Sequence, residues 1–78
     1  MASREQNERT FGAWQELPRG GRRYTREYAG RAGGRAGYIK EVDVAETTIR
    51  FAQEIFDRDG QLVSVHEKFP VDLGHKRI

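Results

Sequence analysis

TIRFAQEIFDRDGQLVSVHEKFP, residues 48–70, is two runs of mixed apolar and polar residues on either side of Asp57-Arg58-Asp59-Gly60. Those four residues fit a type I turn closed by a glycine in the left-handed region. Asp57 caps the turn through its carboxylate, and Gly60 takes the positive φ without a Cβ clash. A three-residue loop of this kind makes a hairpin with a G1 bulge. Asp57 then faces Gln61. The expected pairs outward are Ile55 with Val63, Gln53 with Val65, Phe51 with Glu67, and Ile49 with Phe69. Alternation puts these side chains on one face, and six of the eight are apolar. Phe56 with Leu62, Glu54 with Ser64, Ala52 with His66 and Arg50 with Lys68 share the other face. A slip of one residue would bring polar groups into the apolar face. Pro70, lacking an N–H, ends the second strand.

The turn segment Phe56-Asp57-Arg58-Asp59-Gly60-Gln61-Leu62 resembles the aromatic-Asp-x-x-Gly-x-Leu core of the YD repeats in Rhs-type proteins. Phe56 stands where Tyr is usual and Gln61 where Arg is common. The resemblance covers one hairpin, and the chain holds no second copy. It implies a single hairpin unit, or a piece of a larger Rhs-like or toxin protein, and not a YD-repeat shell.

With 78 residues the chain is one domain at most. A domain of this size buries only about 60–65% of its unfolded surface, so its stability is marginal without help. It has no cysteine, which removes disulfides, thiolate metal sites and a cysteine nucleophile. No apolar run approaches the roughly 20 residues of a membrane span, and MASREQNERTF lacks an apolar signal core. A cytoplasmic protein with no membrane contact is expected. The net charge is +2. It is unevenly spread: residues 1–37 hold eight arginines against four glutamates, and residues 38–78 hold six basic against eight acidic residues.

Residues 1–12 are polar and unpatterned, and read as a flexible tail. Residues 13–78 read as a single small β domain. Trp14 and Leu17 are the first anchors, and Pro18 to Gly21 is a turn. RRYTREYA, residues 22–29, alternates as a strand with Tyr24 and Tyr28 on one face. GRAGGRAG, residues 30–37, reads as a mobile cationic loop. YIKEVDV, residues 38–44, resumes alternation without showing which set faces inward. The link from Val44 to Thr47 needs more than a two-residue turn, because that would force positive φ at Ala45 and Glu46. Val71, Leu73 and Ile78 are placed along an edge. The expected fold is mainly β: an antiparallel meander of about four strands, as a curled sheet or small barrel. No amphipathic helix is available to cover it.

Two constellations carry chemistry. Arg19, Arg22, Arg23, Arg26, Arg31 and Arg35 are interleaved with Trp14, Tyr24 and Tyr28, the composition of a cationic groove with aromatic platforms for single-stranded RNA or DNA. Its glycines match neither a phosphate loop nor a dinucleotide fingerprint. His66, Glu67, Asp72 and His75 hold acid–base groups, but their spacing is not a metal signature, and His66 and Glu67 point to opposite faces. His66 is placed beside Glu54, and His75 reads as a tail residue. A metal-free ribonuclease would use His66 or His75 with an arginine and Glu54. There is no serine elbow and no room for an enclosed cofactor, so no cofactor is expected. The leading expectation is a non-enzymatic β module acting through the apolar face of Ile49, Phe51, Ile55, Val63, Val65 and Phe69, on a second copy of itself or on another protein. Binding of RNA or single-stranded DNA through the arginine-tyrosine surface comes second, and a ribonuclease-like toxin fragment third.

Overall fold

Ser3 opens the first element in a computed structural model that describes residues 2–78. Its Oγ accepts from the Gln6 amide at 3.2 Å, and Gln6 Oε1 accepts from the Ser3 amide at 2.9 Å. This capping box starts helix α1, Arg4–Phe11, which Gly12 ends at φ 80°. The expected flexible tail is therefore corrected to a helix packed on the sheet. Its apolar stripe is nearly absent, and an isolated helix of eight residues is marginal in water. Hydrophobic periodicity had no signal to give there.

Six strands follow: β1 Ala13–Glu16, β2 Arg22–Ala29, β3 Arg35–Val42, β4 Thr48–Phe56, β5 Leu62–Phe69 and β6 Gly74–Arg77. They form one antiparallel sheet in chain order, with β1 and β6 as unpaired edges. The sheet is open, so the barrel alternative is corrected, and the number of strands rises from about four to six. The two additional strands are the edges, four residues each. Strands that short carry too little alternation to be read. GRAGGRAG is also shorter as a loop than expected. A tight turn closes Gly30 to Gly34 through two backbone hydrogen bonds, and Ala36 and Gly37 are buried within β3.

The central turn forms as read: the Asp57 amide donates to the Gln61 carbonyl at 3.0 Å, and Phe56 pairs with Leu62. The register beyond it is corrected. Ile55 pairs with Ser64, Gln53 with His66, Ala52 with Glu67 and Phe51 with Phe69. Val63 and Lys68 are extra residues in two β-bulges, and Ile49 is the extra residue of a third, opposite Glu41 and Val42. A bulge reverses the parity of everything beyond it, which strict alternation does not foresee. Ile49 and Val63, expected on the buried face, are 51% and 38% exposed.

Period two sorts the rest onto two faces. Arg22, Tyr24, Arg26 and Tyr28 of β2 share a face with Val42, Lys40, Tyr38 and Ala36 of β3. On this side α1 covers one end of the sheet. Tyr24 is fully buried there, between Phe11 and Trp14 at ring distances of 5.8 and 6.2 Å. The opposite face carries a charge ladder across four strands: Arg23 to Glu41 at 2.7 Å, Glu41 to Arg50 at 4.0 Å, and Arg50 to Glu67 at 2.6 Å. The Arg50 guanidinium holds the Glu67 carboxyl below its ordinary range.

What fastens α1 is polar. Asn7 is buried and donates to Glu46 Oε2 at 2.9 Å, while its own Oδ1 accepts from Lys40 Nζ at 2.8 Å. The Tyr24 hydroxyl donates to the same Glu46 oxygen at 2.8 Å, and Arg4 Nε donates to Glu46 Oε1 at 3.1 Å. Burial pushes the Glu46 carboxyl up, but the hydrogen bonds from Asn7, Tyr24 and Arg4 outweigh it, so it lies below its ordinary value. Among the described residues no buried side-chain nitrogen or oxygen lacks a partner, as a low-dielectric interior requires.

Candidate nucleic-acid interface

The arginines expected to form one cationic surface are dispersed. Arg22 donates to Glu8 at 2.6 Å and to Glu16 at 2.9 Å and lies over the Trp14 ring at 5.1 Å. Arg23 belongs to the charge ladder on the far face. Arg26 donates to the Thr10 carbonyl, and Arg35 pairs with Glu27 at 3.3 Å while lying over Phe56. Arg19 and Arg31 sit in turns at opposite ends of the sheet. Tyr24 is buried under α1, so of the aromatic residues read with these arginines only Trp14 and Tyr28 are exposed, each at 40%.

The six residues expected to form one apolar face are dispersed too. Phe51 and Ile55 lie on the helix side, and Val65 pairs with Glu54 and Lys76 on the other. Ile49 and Val63 occupy bulges. Phe69 borders a groove of about 520 Å³ between α1 and the sheet, with Phe11, Lys40 and Phe51.

Two cross-strand rows of the helix-side face extend beyond α1. One runs Arg26, Tyr38, Gln53, His66 and His75 from β2 to β6, and the next runs Tyr28, Ala36, Ile55, Ser64 and Arg77. Neither row holds a carboxylate. Glu27, Glu41, Glu54 and Glu67 all take the opposite face, because each falls on the other parity of its strand.

The aromatic groups on this side are in mutual contact. Tyr38 stacks on Phe51 with centroids 5.6 Å apart and planes at 12°, and Tyr28 lies 5.7 Å from Tyr38. The bulged Lys68 places its ammonium 5.2 Å from the Tyr38 centroid and 5.9 Å from that of Phe51. Gln53 Nε2 donates to the Tyr28 hydroxyl at 3.1 Å.

At the β5–β6 end, His66 and His75 are directly paired across strands, with ring centroids 4.7 Å apart. His66 Nε2 meets Asp72 Oδ1 at 2.5 Å, and His75 Nδ1 meets Ser64 Oγ at 3.0 Å. The His66 ring, followed by the Gly74 amide, holds the Asp72 carboxyl below its ordinary value. The fold thus brings His66, Asp72 and His75 together, which corrects the reading of His75 as a tail residue, and separates Glu67, which bonds Arg50 on the far face. Glu54 stands opposite Val65, so His66 faces Gln53 and not Glu54. Among the described residues no group of three or more His, Cys, Asp or Glu is placed to hold a metal ion.

Sequence reasoning missed Tyr38, Gln53, Ser64, Lys68 and Arg77 as members of this surface. The period-two spacing of Ser64, His66 and Lys68, repeated in His75 and Arg77, was the available signal. It was masked because the parity of YIKEVDV was open. No helix among the described residues is long and apolar enough to cross a membrane. No protein-family model, curated protein or solved structure matches the chain.

Proposed function

We propose that this domain binds single-stranded nucleic acid, RNA or DNA, across the half of the helix-side face that α1 leaves open. One observation carries the reading. The connected aromatic run Tyr28, Tyr38 and Phe51, with Lys68 above it, spans the two helix-side rows and the adjoining row of Tyr24, Lys40, Phe51 and Phe69, and none of the three holds a carboxylate. Bases stack on aromatic faces whatever their sequence, and cations beside those faces take the phosphates. Arg26 and Arg77 add charge on the same side, and the Gln53 amide offers a hydrogen bond to a base edge. This surface shares only Arg26 and Tyr28 with the arginine stripe read in the sequence, in which Arg22, Arg23 and Arg35 are paired with carboxylates within the fold. The cytoplasm, where such ligands are met, remains the proposed location.

The test is fluorescence anisotropy of a labelled oligouridine and an oligothymidine at low and physiological salt. Both are expected to bind, with affinity falling steeply as salt rises. No binding at low salt would overturn the reading.

A second reading, docking to another protein or to a second copy, is favoured by Val71, Leu73 and Ile78. They are 61%, 51% and 77% exposed around the short edge strand β6. A strand added at that edge would cover them. Thermal stability that rises with protein concentration would support self-association, and a concentration-independent monomer would remove it.

A further inference from the structure

We propose that His66 and His75 form a metal-independent acid–base pair that cleaves the phosphodiester of bound RNA. The inference rests on the nucleic-acid reading above and names the ligand on which that surface would act.

The two rings are direct cross-strand neighbours on β5 and β6, and among the described residues each is tied by one nitrogen only. Asp72 is an ionised acceptor, so His66 carries its proton on Nε2 and donates it to Oδ1. That leaves His66 Nδ1 with its lone pair, a base. His75 uses Nδ1 on the Ser64 hydroxyl, which leaves Nε2 free to hold and deliver a proton. A base and an acid with free nitrogens on touching rings are the groups that an in-line transesterification needs. His66 lies one strand from Gln53 and His75 two, both on the same face as Arg77 and next to the aromatic run.

The step balances without a co-reactant. Nδ1 of His66 takes the proton of a ribose 2′-hydroxyl, and O2′ forms a bond to the adjacent phosphorus. The bond from phosphorus to O5′ breaks, and Nε2 of protonated His75 gives its proton to O5′. The products are a 2′,3′-cyclic phosphate and a 5′-hydroxyl. One proton has moved from His75 to His66, and exchange with water resets the pair. DNA lacks the 2′-hydroxyl, so it would be bound and left intact. Asp72 and Ser64 are positioning residues that set which nitrogen of each ring is free.

The experiment uses the full chain with three labelled strands of one sequence: RNA, DNA and 2′-O-methyl RNA, each with and without EDTA. The expected result is binding of all three and cleavage of RNA alone, with mass spectrometry identifying the cyclic phosphate end. His66→Asn and His75→Asn should each slow cleavage by about 100-fold or more, while circular dichroism shows the same fold and binding of the 2′-O-methyl strand stays measurable. Intact RNA in a complex that does form would overturn the cleavage proposal and leave the binding function standing. Failure of the 2′-O-methyl strand to bind would overturn both. Cleavage abolished by EDTA, or persisting in the double variant, would overturn the histidine mechanism.

Discussion

Glu46 holds in the turn between β3 and β4 the position that Gly60 holds in the turn between β4 and β5. In each turn an aspartate opens the loop: Asp43 Oδ1 accepts from the amides of Ala45 and Thr47, and Asp57 Oδ1 from those of Asp59 and Gln61, all at 2.9 Å. The amide of the fourth residue returns to the aspartate carbonyl at 3.0 Å in both, and that residue is left-handed, at φ 64° for Glu46 and 80° for Gly60. A left-handed non-glycine residue costs about 1–2 kcal/mol. Glycine would avoid the strain, but only a side chain at this position reaches Asn7, Tyr24 and Arg4.

Glu46→Gly therefore tests which effect is larger. It relieves the backbone and leaves the buried Asn7 amide and Tyr24 hydroxyl without their acceptor, each worth about 1–3 kcal/mol. A net loss of about 1–3 kcal/mol is expected in urea unfolding, with faster amide exchange across α1. A more stable variant would show that the network contributes less than the strain.

The acid limb of stability should depend on the same carboxyl. Its value in the folded state is lowered, so its contribution is fully present above the unfolded value of about 4.3 and is lost as pH falls through the folded value. Glu67 and Asp72 are lowered as well and act with the same sign. Unfolding free energy should fall between about pH 5 and about pH 2, and less steeply in Glu46→Gln. Parallel pH curves for the two proteins would contradict this assignment.

The turn from β2 to β3 separates a steric requirement from a conformational one. Gly34 is extended, at φ −82°, yet a Cβ there would lie 2.3 Å from the Phe56 carbonyl oxygen. Gly34→Ala should cost more than about 3 kcal/mol, because backbone must move. Ala32, at φ 52°, is the reverse case: Ala32→Gly should be neutral or stabilising by up to about 1 kcal/mol. Thermal melts of the two variants give both signs.

Nucleic-acid affinity should follow the open face and not the arginine count. Tyr38→Ala should weaken binding of an oligouridine by about 1–3 kcal/mol, the worth of one stacked base. Lys68→Ala should reduce the salt slope by about 0.7, one released counterion on a single strand. Arg23→Ala, on the far face in the charge ladder, should change affinity by less than about 0.5 kcal/mol. A larger loss for Arg23 than for Tyr38 would move the site to the other side of the sheet.

Local chemistry was legible where it was complete within a few residues. The Asp57 to Gly60 turn, the strand over 22–29 and the end of β5 before Pro70 required no distant partner. The Ser3 to Gln6 capping box was also local, but a polar helix whose one buried residue is Asn7 gives no apolar stripe to follow. The second aspartate turn was hidden because glutamate stands where glycine marks the motif.

The sequence by itself determined an antiparallel β chain with its central hairpin turn, since turn geometry and alternation depend on neighbours along the chain. Which residues share a surface was decided only by the tertiary structure. Bulges at Ile49, Val63 and Lys68 each reverse strand parity, and they form where cross-strand packing favours an extra residue over strict pairing. Those reversals dispersed the expected apolar face. The same fold gave the arginines of the basic half partners from α1, β1 and β3. Pairing β5 with β6 then brought His66 against His75, nine residues apart in the chain, in a contact that no local pattern specifies.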